Sequence, residues 1–245
     1  MRWSVLSCAL LSACSDLPAG TLSAGGWVVC VAAGEESDCQ GIGAGPREGQ
    51  QRLPAGDWVQ LAPGFRHTCG LRRDGTVSCW GDSAFGQTEA PAGLFASVSV
   101  GTHTSCALDA DGYATCWGTM QTWRGQDRPI QSPQEPFAKL ALFDSGGCGI
   151  PVAGGRLRCW GQGARLRLPP QGQPFVDVAA GGDDVCALTA TGILPCYGKP
   201  SPARGSYPFN EPMMAVAVML DARCGLTTGG DLRCVCFAAF DIMRI

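Results

Sequence analysis

The sequence has few charged residues and no long apolar run. Only 16% of its 245 residues are charged, with 21 acidic side chains against 18 basic ones. Without a basic excess the chain lacks the electrostatic field that nucleic-acid-binding domains present, so we expect no nucleic-acid partner. No apolar stretch approaches the ~20 residues that a transmembrane helix requires. Histidine is also scarce, at two residues.

Glycine and proline are abundant instead. The 35 glycines and 17 prolines make up about 21% of the chain, against roughly 12% in average proteins. This excess predicts many turns and few long helices. Because 45% of the residues are hydrophobic, the chain is too apolar to be disordered.

The first residues have the form of an export signal. A minimally basic start precedes nine mostly apolar residues, Val5 to Ala13, which are too few to span a bilayer. The segment Leu11-Ser12-Ala13-Cys14 resembles the bacterial lipobox, in which small residues precede a cysteine. The resemblance implies removal of residues 1–13, lipidation of Cys14 and, because serine follows, an outer-membrane or cell-surface destination. The alternative is an ordinary signal cut at the same place, which leads to a periplasmic or secreted protein.

Twelve of the other cysteines form six regularly spaced pairs. Members of a pair are nine to eleven residues apart, and the first members of successive pairs are 37 to 42 residues apart. The pairs are Cys30/Cys39, Cys69/Cys79, Cys106/Cys116, Cys148/Cys159, Cys186/Cys196 and Cys224/Cys234. A period near 40 with short strands is typical of a propeller or a solenoid. Cys236 has no partner in this scheme, and the sequence leaves it free, buried or intermolecular.

The residues between paired cysteines predict a β-hairpin. If Arg73-Asp74-Gly75 is a three-residue loop, Cys69 lies opposite Cys79, with the glycine where a positive φ is needed. Gly112, Gly192 and Gly230 take the same place in three other repeats. Opposed residues of a non-hydrogen-bonded pair are close enough for a disulfide, so we predict one cross-hairpin disulfide per repeat. Zinc is the alternative, but only Cys234-Val235-Cys236 comes near the usual ligand spacing.

Each repeat also contains a strand before its hairpin. Alternating apolar residues follow an aromatic one in segments such as Trp58–Gly64 and Phe175–Gly181, which predicts a half-buried strand. After the second cysteine come Trp80-Gly81, Trp117-Gly118, Trp160-Gly161 and Tyr197-Gly198. The prediction is an all-β protein whose small sheets must stack on their neighbours, with these aromatic residues packed between the sheets.

Two motifs resemble one known family. The run Gly-x-x-His-x-Cys-x-Leu at 64–71 and the stretch Trp-Gly…Gly-Gln at 80–87 resemble the RCC1/BLIP-II superfamily of β-propellers, especially its secreted bacterial members with paired cysteines. The resemblance implies an RCC1-like propeller over residues 27–245, after a flexible tether at 14–26. Typical members have seven blades, whereas this chain has about six repeats. The ring is therefore six-bladed, open and incomplete, or truncated.

No pattern of residues predicts catalysis, a metal or a cofactor. There is no nucleophile with a base partner, no phosphate-binding loop and no metal triad. His67 and His103 recur just before the first cysteine of their repeats, which favours a structural role. Asp74 and Asp111 precede turn glycines and are predicted turn formers. Asp183-Asp184 could be a carboxylate pair, although a strand-to-strand turn is predicted there.

Connections between repeats are the predicted binding elements, because loops on a rigid scaffold usually carry binding. Aromatic and arginine side chains favoured at interfaces occur there at Trp123, Arg124, Arg128, Arg165, Arg167, Arg204 and Tyr207. The sequence favours a non-enzymatic, lipid-anchored scaffold that binds a protein partner. The resemblance leaves two alternatives, inhibition of an extracellular enzyme and carbohydrate binding. Contact with the membrane is expected through the lipid alone.

Overall fold

The structure is a computed structural model that contains only strands, turns and irregular segments in the residues it describes. These are residues 21–26, 28–41, 52–120, 128–143, 146–154, 156–161, 174–182, 184–197, 211–218, 222–229, 232–236 and 242–244. Within them no helix is long and apolar enough to cross a bilayer.

In the described ranges, twenty strands form six antiparallel sheets, numbered here as blades 1–6 in chain order. Blade 1 contains β1 (Thr21–Gly25), β2 (Val28–Ala32) and β3 (Asp38–Gly41); blade 2 contains β4 (Trp58–Pro63), β5 (His67–Arg72) and β6 (Val77–Gly81). Blade 3 contains β7 (Ser97–Val100), β8 (Thr104–Leu108), β9 (Ala114–Met120) and β10 (Arg128–Pro129). Blade 4 contains β11 (Phe137–Phe143), β12 (Gly146–Pro151) and β13 (Arg158–Gly161). Blade 5 contains β14 (Phe175–Gly181), β15 (Asp184–Thr189) and β16 (Cys196–Tyr197). Blade 6 contains β17 (Met213–Val218), β18 (Ala222–Thr227), β19 (Leu232–Cys236) and β20 (Ile242–Arg244).

The first strand of each blade is its innermost strand. Successive inner strands β4, β7, β11, β14 and β17 lie side by side, and β1 contacts both β4 and β17. The inner strand of the sixth blade therefore lies beside that of the first. All six inner strands surround one axis. The described residues thus form six blades, as the repeat count predicts, rather than the seven that are typical of the resembling family.

The expected boundary between tether and propeller at residue 27 is wrong. Thr21–Gly25 lies within the predicted tether, yet it forms β1, which pairs along its whole length with β2. Its small residues have the composition of a linker, but an inner strand needs such residues because neighbouring blades approach closely. A Cβ on Gly25 would collide with the carbonyl group of Pro63 in blade 2. Composition alone cannot distinguish these two uses of small residues.

The part of the chain whose side chains the structure describes contains five of the predicted cross-hairpin disulfides. They join Cys30 to Cys39, Cys69 to Cys79, Cys106 to Cys116, Cys148 to Cys159 and Cys186 to Cys196. Their Cα atoms are 4.0–4.1 Å apart, because each pair occupies directly opposed positions on the second and third strands. In blade 6 the backbone also places Cys224 opposite Cys234. In the described residues no group of three metal-ligating side chains is placed to hold a metal ion.

The hairpin turn of a blade is hydrogen-bonded to the blade that follows it. Gly75, Gly112 and Gly192 have positive φ values of 82–87°, as predicted; Gly230 lies outside the described residues. Carbonyl groups of these turns accept hydrogen bonds from the backbone N–H at or before the next inner strand, in the pairs Gly34–Trp58, Gly75–Phe95, Gly112–Phe137 and Gly192–Met213. Gly112 and Gly192 therefore have a second role, because their close approach to the neighbouring blade excludes a side chain. A Cβ on Gly112 would lie 2.7 Å from the Phe137 carbonyl oxygen.

The core consists of contacts between adjacent blades. Trp117 of blade 3 packs with Cys69 and Leu71 of blade 2, and Trp160 of blade 4 packs with Cys106 of blade 3. Trp80 packs against residues of blade 1, including Cys30. Each tryptophan thus lies between its own blade and the disulfide of the preceding one, where it buries apolar surface that a single sheet leaves exposed.

Candidate binding surfaces

One cavity of about 310 Å³ lies where the six inner strands meet. Its walls are mostly backbone and small side chains, including Ala24, Ala62, Ala141, Ala180 and Ala217. Asp177 is the one ionisable residue among the described lining residues, and its Oδ1 lies 2.8 Å from Nζ of Lys139 on the neighbouring inner strand. The charge at the cavity is therefore confined to this ion pair, and the other polar groups of its lining are backbone groups and uncharged side chains.

Polar side chains around the axis mainly join one blade to the next. Gln60 donates from Nε2 to the Val98 carbonyl and accepts at Oε1 from the Val98 N–H, both at 3.0 Å. Ser99 Oγ accepts a hydrogen bond from the Leu142 N–H at 3.1 Å. These bonds satisfy inner-strand groups that have no backbone partner across the blade interface. Their role is structural.

His67 belongs to a buried network between blades 2 and 3. Ser105 Oγ donates to the Gln87 carbonyl at 3.1 Å and lies 2.8 Å from His67 Nε2. Trp117 Nε1 donates to the same carbonyl at 2.9 Å. Because the serine proton is used by Gln87, His67 must donate from Nε2 and carry its lone pair on Nδ1. Burial lowers the pKa of His67 to about 3, so the ring is a neutral hydrogen-bond donor. The predicted structural role of this histidine agrees with its position.

The sequence suggests Asp183-Asp184 as a carboxylate pair in a strand-to-strand turn, and the structure describes one of the two residues. Asp183 lies outside the described residues, and Asp184 is the buried first residue of β15 rather than part of a turn. Its Oδ2 lies 2.7 Å from Nη2 of Arg223 in blade 6. The spacing of Asp184 from its cysteine equals that of His67, and this equivalence signals a place in the blade interface.

The structure describes one of the seven predicted binding residues. Trp123, Arg124, Arg165, Arg167, Arg204 and Tyr207 lie outside the described residues. Arg128 is described, and it is exposed on the outer strand β10, opposite Met120. The binding role of the inter-blade connections therefore stays a prediction.

A different surface contains the exposed apolar side chains. We define the turn face as the edge of the propeller formed by the β-hairpin turns and by the starts of the inner strands, which lie together because the strands are antiparallel. Every exposed large hydrophobic side chain in the described part of the chain lies on this face. They are Leu94, Tyr113, Val152, Val176, Ile193 and Met214, with 49–69% of each residue exposed.

β-Bulges account for two of these exposed residues. The pairing register shifts between Phe175 and Asp177 and again between Met213 and Ala215. A bulge leaves its extra residue without a place in the strand alternation, so Val176 and Met214 point away from the core. Sequence reasoning missed them, although the adjacent apolar pairs Phe175-Val176 and Met213-Met214 break the expected alternation and could have indicated the bulges.

The fold and its disulfide-joined hairpins define a β-propeller of small antiparallel sheets. A family model described as "Regulator of chromosome condensation (RCC1) repeat" matches residues 58–87, which include the three strands of blade 2. One repeat of the chain thus matches the RCC1 family model, and the chain as a whole has the fold of the RCC1-type β-propellers. No curated protein sequence matches it.

Solved structures share this fold at low sequence identity. The CRINKLY WD40 ectodomain of the Arabidopsis thaliana receptor kinase ACR4 superposes with a TM-score of 0.69 and 22% identity, over 92% of this chain and 84% of that one. The ectodomain of the Physcomitrella patens receptor kinase CR4 gives 0.67 and 23%, over 90% and 62%. Prp20p from Saccharomyces cerevisiae, described with its binding properties to Gsp1p and histones, gives 0.67 and 16%, over 92% and 76%. At these identities the likeness shows the fold alone.

Proposed function

We propose that this chain is an exported, non-enzymatic scaffold that binds a protein partner at the bacterial cell envelope, anchored there by lipid on Cys14. The observation that carries the binding role is the concentration of exposed apolar side chains on the turn face. Exposed apolar patches on a soluble domain mark interaction surfaces. RCC1-type propellers such as Prp20p bind protein partners, and the fold here supports the same use of a rigid scaffold.

Disulfide content supports export. Five disulfides indicate an exported or extracellular protein, because such bonds persist in oxidising compartments and are rare in the cytosol. Two of the similar structures are receptor ectodomains. Lipid anchoring is proposed from the lipobox-like segment alone.

Cross-linking in living cells tests the binding role. The full chain with a C-terminal tag is cross-linked, purified and examined by mass spectrometry beside the Ile193→Lys/Met214→Lys variant. A partner that binds through the turn face is recovered with the unaltered chain and lost with the variant. Ser83→Lys, an exposed change in the loop at the opposite edge, is the control and retains the partner. Failure of the unaltered chain to recover any protein reproducibly contradicts the proposed function.

Cell fractionation tests the anchor. Cys14→Ser removes the acyl acceptor and moves the protein from the membrane fraction to the soluble fraction, with loss of the acyl mass in the intact protein. Cys8→Ser, inside the predicted signal, leaves the fractionation unchanged. Membrane association of Cys14→Ser equal to that of the unaltered chain contradicts lipidation.

A further inference from the structure

The apolar part of the turn face is concentrated over blades 4–6. Val152 lies in the hairpin turn of blade 4, and Val176 is the bulge residue of blade 5. Ile193 directly follows Gly192, whose carbonyl accepts the hydrogen bond from the N–H of Met213. Ile193 and Met214 are therefore exposed on two segments of adjacent blades that are hydrogen-bonded to each other. Such a cluster can accommodate an apolar side chain from a partner.

Acidic side chains are distributed around the turn face, and two of them, Glu135 and Glu211, precede the inner strands of blades 4 and 6. Exposed acidic residues at the turns and strand starts of the described chain are Glu35, Glu36, Asp74, Asp111, Glu135 and Glu211. The basic residues on the same face are fewer. Three of them have acidic neighbours: Arg73 lies 2.6 Å from Asp57, Lys139 lies 2.8 Å from Asp177, and Arg158 lies 3.9 Å from Glu135. The fourth, Arg156, is exposed in the hairpin turn of blade 4. The described turn face therefore combines an excess of negative charge with exposed apolar side chains.

We propose that the turn face binds a protein segment in which an apolar side chain is flanked by lysine or arginine. The inference rests on the proposed function and specifies its partner. The apolar anchor would bury Ile193 and Met214, while the flanking cations would lie near the acidic turns, an arrangement that sets specificity and association rate. A second copy of the same face is disfavoured because its acidic residues repel each other. An anionic membrane surface is disfavoured for the same reason.

Peptide selection tests this chemistry without a known partner. A phage-displayed library of random dodecapeptides is selected on the immobilised full-length protein. The expected peptides contain an aliphatic or aromatic residue flanked by lysine or arginine. A selected peptide, synthesised and titrated, loses at least tenfold in affinity with Ile193→Lys/Met214→Lys and retains it with Ser83→Lys. High salt weakens its binding to the unaltered chain, because exposed charge pairs are screened.

Three results of the peptide selection and titration would overturn the proposal. One is selection without enrichment, the second is a consensus that is acidic or lacks charge, and the third is an affinity that the double variant does not change. Sedimentation of the chain alone provides a further test. If the chain forms a dimer that Ile193→Lys/Met214→Lys abolishes, the turn face binds a second copy, and the proposed basic partner is wrong. Recovery in cells of a partner that this variant does not affect would leave the scaffold function intact and refute only this assignment of surface and chemistry.

Discussion

Asp184 and His67 occupy equivalent positions in blades 5 and 2, two residues before the first cysteine, and both contact the next blade. Each contacts the residue that directly precedes the next blade's first cysteine: Asp184 Oδ2 lies 2.7 Å from Arg223, and His67 Nε2 lies 2.8 Å from Ser105. All four side chains are buried. One position in the repeat thus joins neighbouring blades through an ion pair at one interface and a neutral hydrogen bond at another.

The intervening repeats fill this position differently. Thr104 occupies the position of His67 in blade 3. The residue of blade 4 at the contacted position, directly before Cys148, is Gly147, which has no side chain to bond. Thr104 Oγ1 is accordingly buried without a hydrogen-bond partner. Each of these blade interfaces therefore has its own set of buried polar side chains. This difference helps to specify which blade stacks on which, because a mismatched pairing would bury an uncompensated charge or polar group.

Removal of one member of the buried ion pair is expected to destabilise the protein strongly. Arg223→Leu leaves the Asp184 carboxylate buried without its cation and should cost about 3–5 kcal/mol in the free energy of unfolding. The double variant Asp184→Leu/Arg223→Leu is expected to lose less than the sum of the two single variants. Urea denaturation of the four proteins measures this coupling.

The exposed pair Asp57–Arg73 provides the control for that experiment. Its N···O distance is 2.6 Å, similar to that of the buried pair, but the side chains of Arg73 and Asp57 are 68% and 40% exposed. Arg73→Leu should therefore change the unfolding free energy little. Equal losses for Arg73→Leu and Arg223→Leu, or additive losses in the double-variant cycle, contradict the assigned importance of the buried pair.

His67 makes stability fall at acid pH. Its folded-state pKa of about 3 lies below the ordinary value of 6.5 because burial disfavours the charged ring. Between these two values the unfolded chain binds a proton that the folded chain does not, so stability falls as the pH decreases, by on the order of 1 kcal/mol per pH unit. Denaturation midpoints at neutral pH and near pH 4.5 measure the loss.

Glutamine at position 67 should remove this part of the pH dependence. His67→Gln keeps a nitrogen donor for Ser105 but does not titrate, so its stability should decline less between the two pH values. His103→Gln is the matched control, because His103 is the other histidine of the chain and is only partly buried. A pH dependence that His67→Gln leaves unchanged would contradict the assignment.

The cross-hairpin disulfides are expected to contribute individually to stability. Replacement of both Cys106 and Cys116 by alanine removes a bond that closes a hairpin of ten-residue separation. The chain-entropy model gives a loss of about 2.5–3 kcal/mol. Thermal and urea unfolding of the double variant measure it. Alkylation of the folded, unreduced protein should leave the ten described disulfide cysteines unmodified, and extensive labelling there would contradict the pairing.

The turn glycines that touch the next blade should not tolerate a side chain. Gly112 combines a φ of +87° with a position where a Cβ would lie 2.7 Å from the Phe137 carbonyl oxygen. Gly112→Ala is expected to destabilise by more than about 1 kcal/mol. Gly154, in the equivalent turn of blade 4, has open space around its Cβ position, so Gly154→Ala should be nearly neutral. Comparable unfolding midpoints for the two variants would contradict this explanation.

Short-range chemistry in the sequence was sufficient to predict each hairpin. The spacing of Cys69 and Cys79, together with Gly75, determines the loop, the opposed register and the disulfide, because all three depend on residues within one repeat. The number of repeats and the half-buried inner strands follow from the same local pattern. The strand nature of Thr21–Gly25 does not, because small residues are common to tethers and to close-packed inner strands.

Relations between repeats were decided by the tertiary structure. Nothing in the sequence near Asp184 indicates that Arg223, nearly forty residues away, neutralises it inside a blade interface. Likewise, Val176 and Met214 are exposed because bulges shift their strands, and the turn face emerges only when six such blade edges are brought together. The sequence by itself determined what each unit is. Stacking determined which side chains are buried between units and which remain available to a partner, because burial depends on a neighbouring surface that the local sequence does not contain.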